Sequence, residues 1–275
     1  RMAPVVFGLG IVQLNVLIDS ITAIGFSAPQ GGWDHFTVLG IPVYFPMKAG
    51  AASVLYYSDR LIQFPLGVFG IAMATVVFPL FSTHVAREDW NNFYTTFNKA
   101  LKCILFIGIP ASLGIIMLRE PIIDLLYRRN QFNAESAYRT SRVILLYAVG
   151  IWAYCGLHVI IRAFYSMKDT VTPVKVGIVC VGIHIVLNLS LIWVLQEGGL
   201  ALSTAISAIT HIIILTVILQ KRLRIKIEKT VAVSLLKTVI ASTVMAITCW
   251  FVLQRFSPIN GEGGISLKAA RLFVP

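Results

Sequence analysis

With 57% hydrophobic and only 13% charged side chains in 275 residues, and a mean hydropathy of +0.81, the chain is too apolar for an ordinary soluble domain. The formal net charge of +11 does not point to nucleic acid, because the bases are spread over short links and form no basic face interleaved with aromatics. Topology and contact with anionic membrane lipids account for it better.

The composition predicts an all-α polytopic membrane protein. A span needs about 20 apolar residues, and segments near 5–26, 51–81, 101–118, 143–161, 174–195, 199–219 and 231–253 meet that length. The first carries Gln13, Asn15 and Asp19 in an apolar run. Asn15 and Asp19, four apart, share one helical face that must look into the bundle. Their carboxylate and amide oxygens either glue helices together or begin a cation site of hard oxygen ligands. The link 28–48, with Gly31-Gly32-Trp33, reads as an ordered excursion outside the membrane.

The second segment is overlong and polar in its first turns, which predicts a bend at Pro65. It contains Asp59-Arg60 within Tyr57-Ser58-Asp59-Arg60-Leu61-Ile62-Gln63-Phe64-Pro65-Leu66-Gly67. Ionised groups among membrane helices cost several kcal/mol or more unless they face a protein interior or a wet cavity, so this pair is the first functional candidate. Neighbouring residues on a helix point about 100° apart, so the two cannot easily satisfy each other. Arg60 either snorkels, neutralises Asp59 or Asp19, or binds an anion. The forked guanidinium favours phosphate.

After the third span, residues 120–135 read as an interfacial amphipathic helix, with Asn133-Ala134-Glu135-Ser136 capping the next one. Arg162 ends the fourth span, either snorkelling or binding an anionic group. Asp169, Thr170 and Thr172 can satisfy free amides in the following turn, and Pro173 opens the fifth span where its missing N–H costs nothing. Asn188 in that span can complete the ion site. Gly198-Gly199 reads as a tight turn between antiparallel fifth and sixth spans. Lys221, Arg222, Arg224, Lys226 and Lys229 place the next link in the cytoplasm. Arg119, Arg128, Arg129, Arg139 and Arg142 then fall outside, against the rule. Residues 267–275 read as the opening of a further apolar segment, and the sequence reads as beginning in mid-protein.

Cys103, Cys155, Cys180 and Cys249 lie apart with no ligand spacing and read as packing residues. Intramembrane His158, His184 and His211 read as hydrogen-bonded interior residues rather than proton relays. No nucleophile elbow, Walker loop or zinc-protease motif occurs, so an enzyme is not expected.

The segment around Asp59-Arg60 resembles the MurJ/MviN lipid II flippases. So do Phe164-Tyr165-Ser166-Met167-Lys168-Asp169-Thr170-Val171-Thr172-Pro173-Val174, Gln13-Leu14-Asn15-Val16-Leu17-Ile18-Asp19 and Gly198-Gly199-Leu200-Ala201-Leu202-Ser203-Thr204-Ala205. The resemblance implies the multidrug/oligosaccharidyl-lipid/polysaccharide exporter fold, of two six-helix lobes and two further helices. Residues 1–220 would form the second lobe, and 221–275 the thirteenth helix and the start of the fourteenth, with a first lobe lying outside the chain. It implies a bacterial inner-membrane protein whose partners are lipid II and membrane lipids, with Arg60 as a cavity arginine on the diphosphate and Asp59 or Asp19 as its electrostatic partner. Some members bind sodium in this lobe. Asp19 and Asn188 match ligands of that site, Ile192 stands where a second acid is expected, and Thr204 offers a partial substitute. No cofactor is expected apart from sodium as a coupling ion. The competing expectations are a drug or O-antigen lipid exporter of the same fold and a non-transporting membrane scaffold.

Overall fold

The computed structural model describes residues 3–29, 35–38, 41–129, 132–223 and 229–256. Gly31-Gly32-Trp33, Arg224, Lys226 and the segment 267–275 lie outside the described residues. Long apolar runs form helices here because each backbone N–H and C=O must find a partner within its own segment once water is excluded. The helices are α1 (Ala3–Gly25), α2 (Ala51–Pro65), α3 (Ala72–Ala86), α4 (Trp90–Leu126), α5 (Ala134–Ala148), α6 (Ile151–Ser166), α7 (Val171–Leu195), α8 (Glu197–Leu223) and α9 (Lys229–Phe256). Five spans are long and apolar enough to cross a membrane among the described residues, and the pair α5–α6, bent by 44°, makes a sixth. Helix α1 occupies the place of the first expected span. The excursion between α1 and α2 contains an antiparallel hairpin of β1 (His35–Val38) and β2 (Ile41–Tyr44), with His35 opposite Tyr44.

The bend expected at Pro65 is a widening. A π-helical turn, Leu66–Ile71, joins α2 to α3, because proline removes an i→i−4 bond and the ladder slips to a longer register. Gly70 there lies so close to α6 that a Cβ would sit 3.0 Å from the Cys155 Cα. All four cysteines are free, and Cys155 and Cys180 are buried.

The separate amphipathic helix expected over 120–135 is not formed. Pro121–Leu126 completes the 37-residue α4, and Ile123 is fully buried, so packing outweighs the single bond lost at Pro121. The next helix starts earlier than expected, at Ala134, where the Asn133 side chain accepts from the Ser136 amide at 2.8 Å, as the capping pattern predicted.

The tight turn is also displaced. Gln196 adopts φ +56°, while Gly198 and Gly199 are already helical. Their smallness serves contact: a Cβ on Gly199 would meet the Leu191 carbonyl at 2.6 Å. That close approach packs α8 along α7.

At the α6–α7 turn, Asp169 accepts from the Thr172 amide at 3.0 Å and its hydroxyl at 2.7 Å. Arg222 at the end of α8 also binds it. Burial pushes the Asp169 pKa up, but the Thr172 and Arg222 contacts outweigh it, and the net shift is downward.

On the opposite side, three of the arginines that break the charge rule are bonded to acids. Arg119 meets Glu120 at 3.4 Å, Arg128 meets Asp124 at 3.4 Å, and Arg139 is paired with Glu197.

Candidate functional site

Polar residues of α1, α2, α5, α6 and α8 converge on one cavity of about 240 Å3. Asn15, Asp19, Asp59 and Thr204 line it, as do Gln63 and Tyr154. The shared face of Asn15 and Asp19 therefore looks inward, as their four-residue spacing predicted.

Asp19 is 7% exposed and Asn188 1%. The Asn188 amide nitrogen donates to Asp19 Oδ1 at 2.7 Å, and the Thr204 hydroxyl lies 3.1 Å from Oδ2. His184, fully buried, brings Nε2 to 3.1 Å from Oδ1 and to 3.2 Å from Thr204 Oγ1. Ser203 donates to the Asn188 oxygen. One carboxylate thus ties α1 to α7 and α8. His184 is a hydrogen-bonded interior residue as expected, but neither its place beside Asp19 nor the role of Ser203 was expected from the sequence. The available signal was the i, i+4 spacing of His184 and Asn188, which puts them on one face of α7.

Asp59 and Arg60 diverge as helical geometry requires. Gln63, one turn on, mediates between them: its amide nitrogen donates to Asp59 Oδ2, and its oxygen accepts from Arg60 at 3.3 Å. Arg60 is exposed. It donates to the Tyr56 hydroxyl at 3.2 Å and sits 5.0 Å from that ring's centroid. Tyr56 and Gln63 line the cavity, so the guanidinium stands at its rim and the carboxylate inside. Arg162 is half-buried beside the cavity, 5.6 Å from the Phe78 ring centroid. Its neighbours Ile161 and Tyr165 are on the cavity wall. The two arginines expected to bind substrate are thus not themselves on that wall, because successive helix positions turn away from it.

The family profile described as "Lipid II flippase MurJ" matches residues 1–263. The chain belongs to the MurJ lipid II flippase family. It is 34% identical over 214 residues to a probable lipid II flippase MurJ of Vibrio cholerae, covering 78% of this chain and 37% of that protein. It is 29% identical over 262 residues to the probable MurJ of Haemophilus influenzae, covering 93% and 47%. The chain therefore spans about half the length, or less, of these curated MurJ relatives. Its fold is like that of a solved lipid II flippase MurJ in an inward closed conformation, with TM-score 0.67 and 24% identity, covering 81% of this chain and 44% of that one. A multidrug resistance MATE transporter of the MOP superfamily matches at TM-score 0.61 and 16% identity, covering 98% and 57%. MurJ membership makes this a polytopic membrane protein of a transporter family.

The sodium site that the MurJ resemblance implied does not fit these residues. A sodium ion needs several converging oxygens with free lone pairs. Here Asp19 Oδ1 accepts from the Asn188 amide, which turns its nitrogen rather than its oxygen towards it, Thr204 has one proton to share between Asp19 Oδ2 and the Leu200 carbonyl, and His184 Nε2 lies where a cation between Asp19 and Thr204 would sit. Ile192, in place of a second acid, is fully buried. Exchanging sodium for potassium at constant ionic strength is expected to leave the unfolding midpoint of the full-length protein unchanged. A sodium-specific rise of several degrees, the signature of a ligand bound only by the folded state, would contradict this.

Proposed function

We propose that this chain supplies the second lobe of a lipid II flippase of the bacterial cytoplasmic membrane, moving the lipid-linked headgroup by alternating access between two lobes. The observation that carries the reading is the match to the family over residues 1–263, together with a guanidinium held at the rim of a polar cavity among membrane helices. Gln63 and Tyr56 hold the Arg60 fork in place, and a preset fork loses less side-chain freedom when it grips a diphosphate. Arg162 stands beside the same cavity as a secondary contact for the headgroup. Asp59 is the electrostatic partner of Arg60 through Gln63, which bonds to both.

The test is lipid II translocation by the full-length protein in proteoliposomes. Arg60→Ala should slow it by roughly thirtyfold, about 2 kcal/mol for a lost charged hydrogen bond. Arg60→Lys, which keeps the charge and loses the fork, should fall between the two. Unchanged translocation by Arg60→Ala at equal protein level would remove Arg60 from the headgroup site, and no translocation by the wild type would favour a scaffold in which these groups only join helices.

A further inference from the structure

The cavity behind the Arg60 rim has the opposite polarity to the rim. Its wall carries two carboxylates, Asp19 and Asp59, the tyrosines Tyr56, Tyr147, Tyr154 and Tyr165, and the histidines His158 and His211, while no lysine or arginine is among its described lining residues. Asp19 is already engaged by Asn188 and His184 of α7 and Thr204 of α8. Asp59 is not: among the described residues it accepts one side-chain hydrogen bond, from Gln63. Three further polar atoms on the wall, Asn15 Oδ1, the Tyr154 hydroxyl oxygen and His211 Nε2, are buried without a hydrogen-bond partner among the described residues. Buried polar atoms left unpaired cost about 1–3 kcal/mol each, and most find partners. What the cavity lacks is a positive charge that brings several N–H donors.

We propose that this recess binds an alkylammonium group, with Asp59 as its counter-charge and with Asn15 Oδ1 and the Tyr154 hydroxyl as acceptors. A primary ammonium presents three donors and no acceptor, which matches the unused groups. Tyrosine faces add cation–π attraction in a site sheltered from water. An anion would meet two carboxylates. Combined with Arg60 at the rim, the recess orients a zwitterionic headgroup: phosphate outside, amine inside. In lipid II the group of that chemistry is the side-chain amine of the peptide, a source that rests on the flippase reading. A free organic amine is the other source.

Two measurements on the full-length protein test this. In proteoliposomes, lipid II with a free peptide amine should move about tenfold faster than the N-acetylated form. Asp59→Asn and, separately, Tyr154→Phe should shrink that ratio towards one. Because the ratio compares two lipids on the same protein, a partly misfolded variant does not mimic the effect. Equal rates in the wild type, or a ratio that neither variant moves, would overturn the headgroup amine as the occupant. If the wild type moves neither lipid, the flippase reading fails. The recess is then judged by direct binding, where butylammonium but not uncharged N-butylacetamide should quench the protein's intrinsic fluorescence, with loss of quenching in Asp59→Asn. Absence of butylammonium binding would overturn the ammonium site whatever the protein transports.

Discussion

Arg139→Ala should lower the stability of the full-length protein by about 3–5 kcal/mol, because it strands a carboxylate that has no access to water. Glu197 is 5% exposed and is paired with the Arg139 guanidinium. The same side chain donates to the Ala49 carbonyl at 3.0 Å and the Lys48 carbonyl at 3.3 Å. One residue of α5 therefore ties the approach to α2 to the first turn of α8. Glu197 also lies where the amides of a helix start favour a negative charge. The unfolding midpoint in detergent should fall by about 10 °C. Glu197→Gln, which keeps a hydrogen-bonding partner for Arg139, should cost much less, and adding it to Arg139→Ala should recover part of the loss. A single Arg139→Ala that melts with the wild type would show that water reaches this pair.

Asp19→Ala should cost about 2–5 kcal/mol, because it leaves the Asn188 amide buried without its acceptor and the His184 ring nitrogen with Thr204 Oγ1 alone. Thr204 suffers less, since its hydroxyl also lies 2.9 Å from the Leu200 carbonyl. Asp19→Asn retains one acceptor oxygen and should be intermediate in thermal unfolding, whether measured in sodium or in potassium. That ordering separates two roles for the residue. A carboxylate serving as an acceptor for three donors loses in proportion to the acceptors removed. A carboxylate holding a metal cation would fail equally as Asn and as Ala, and only in sodium.

Local pattern made much of the architecture legible. Apolar runs of span length located the helices, since length and hydropathy are properties of a contiguous segment. The i, i+4 spacing of Asn15 and Asp19 put both on an inward face, and the 100° between neighbours predicted that Asp59 and Arg60 would part. Asn133 announced the start of α5. Misreadings arose where a local signal had two structural outcomes. Polar residues beside apolar ones over 120–135 fit either a surface helix or the end of a long one, and the buried Ile123 decided for the second. Gly198-Gly199 fits either a turn or a close helix contact, and the Leu191 carbonyl 2.6 Å from a would-be Cβ decided for contact.

The sequence by itself determined that this is a helical membrane protein, which four stretches carry the family resemblance, and which polar residues had to face inward, because each follows from neighbours within a turn or two. Only the tertiary structure decided what those residues meet. Asp19 and Asn188 are 169 positions apart, and their joining depends on how α1 packs against α7. That packing turned an expected cation site into a carboxylate served by His184, Asn188 and Thr204. It also set an acid inside the cavity and an arginine at its edge, a division that two adjacent letters cannot reveal.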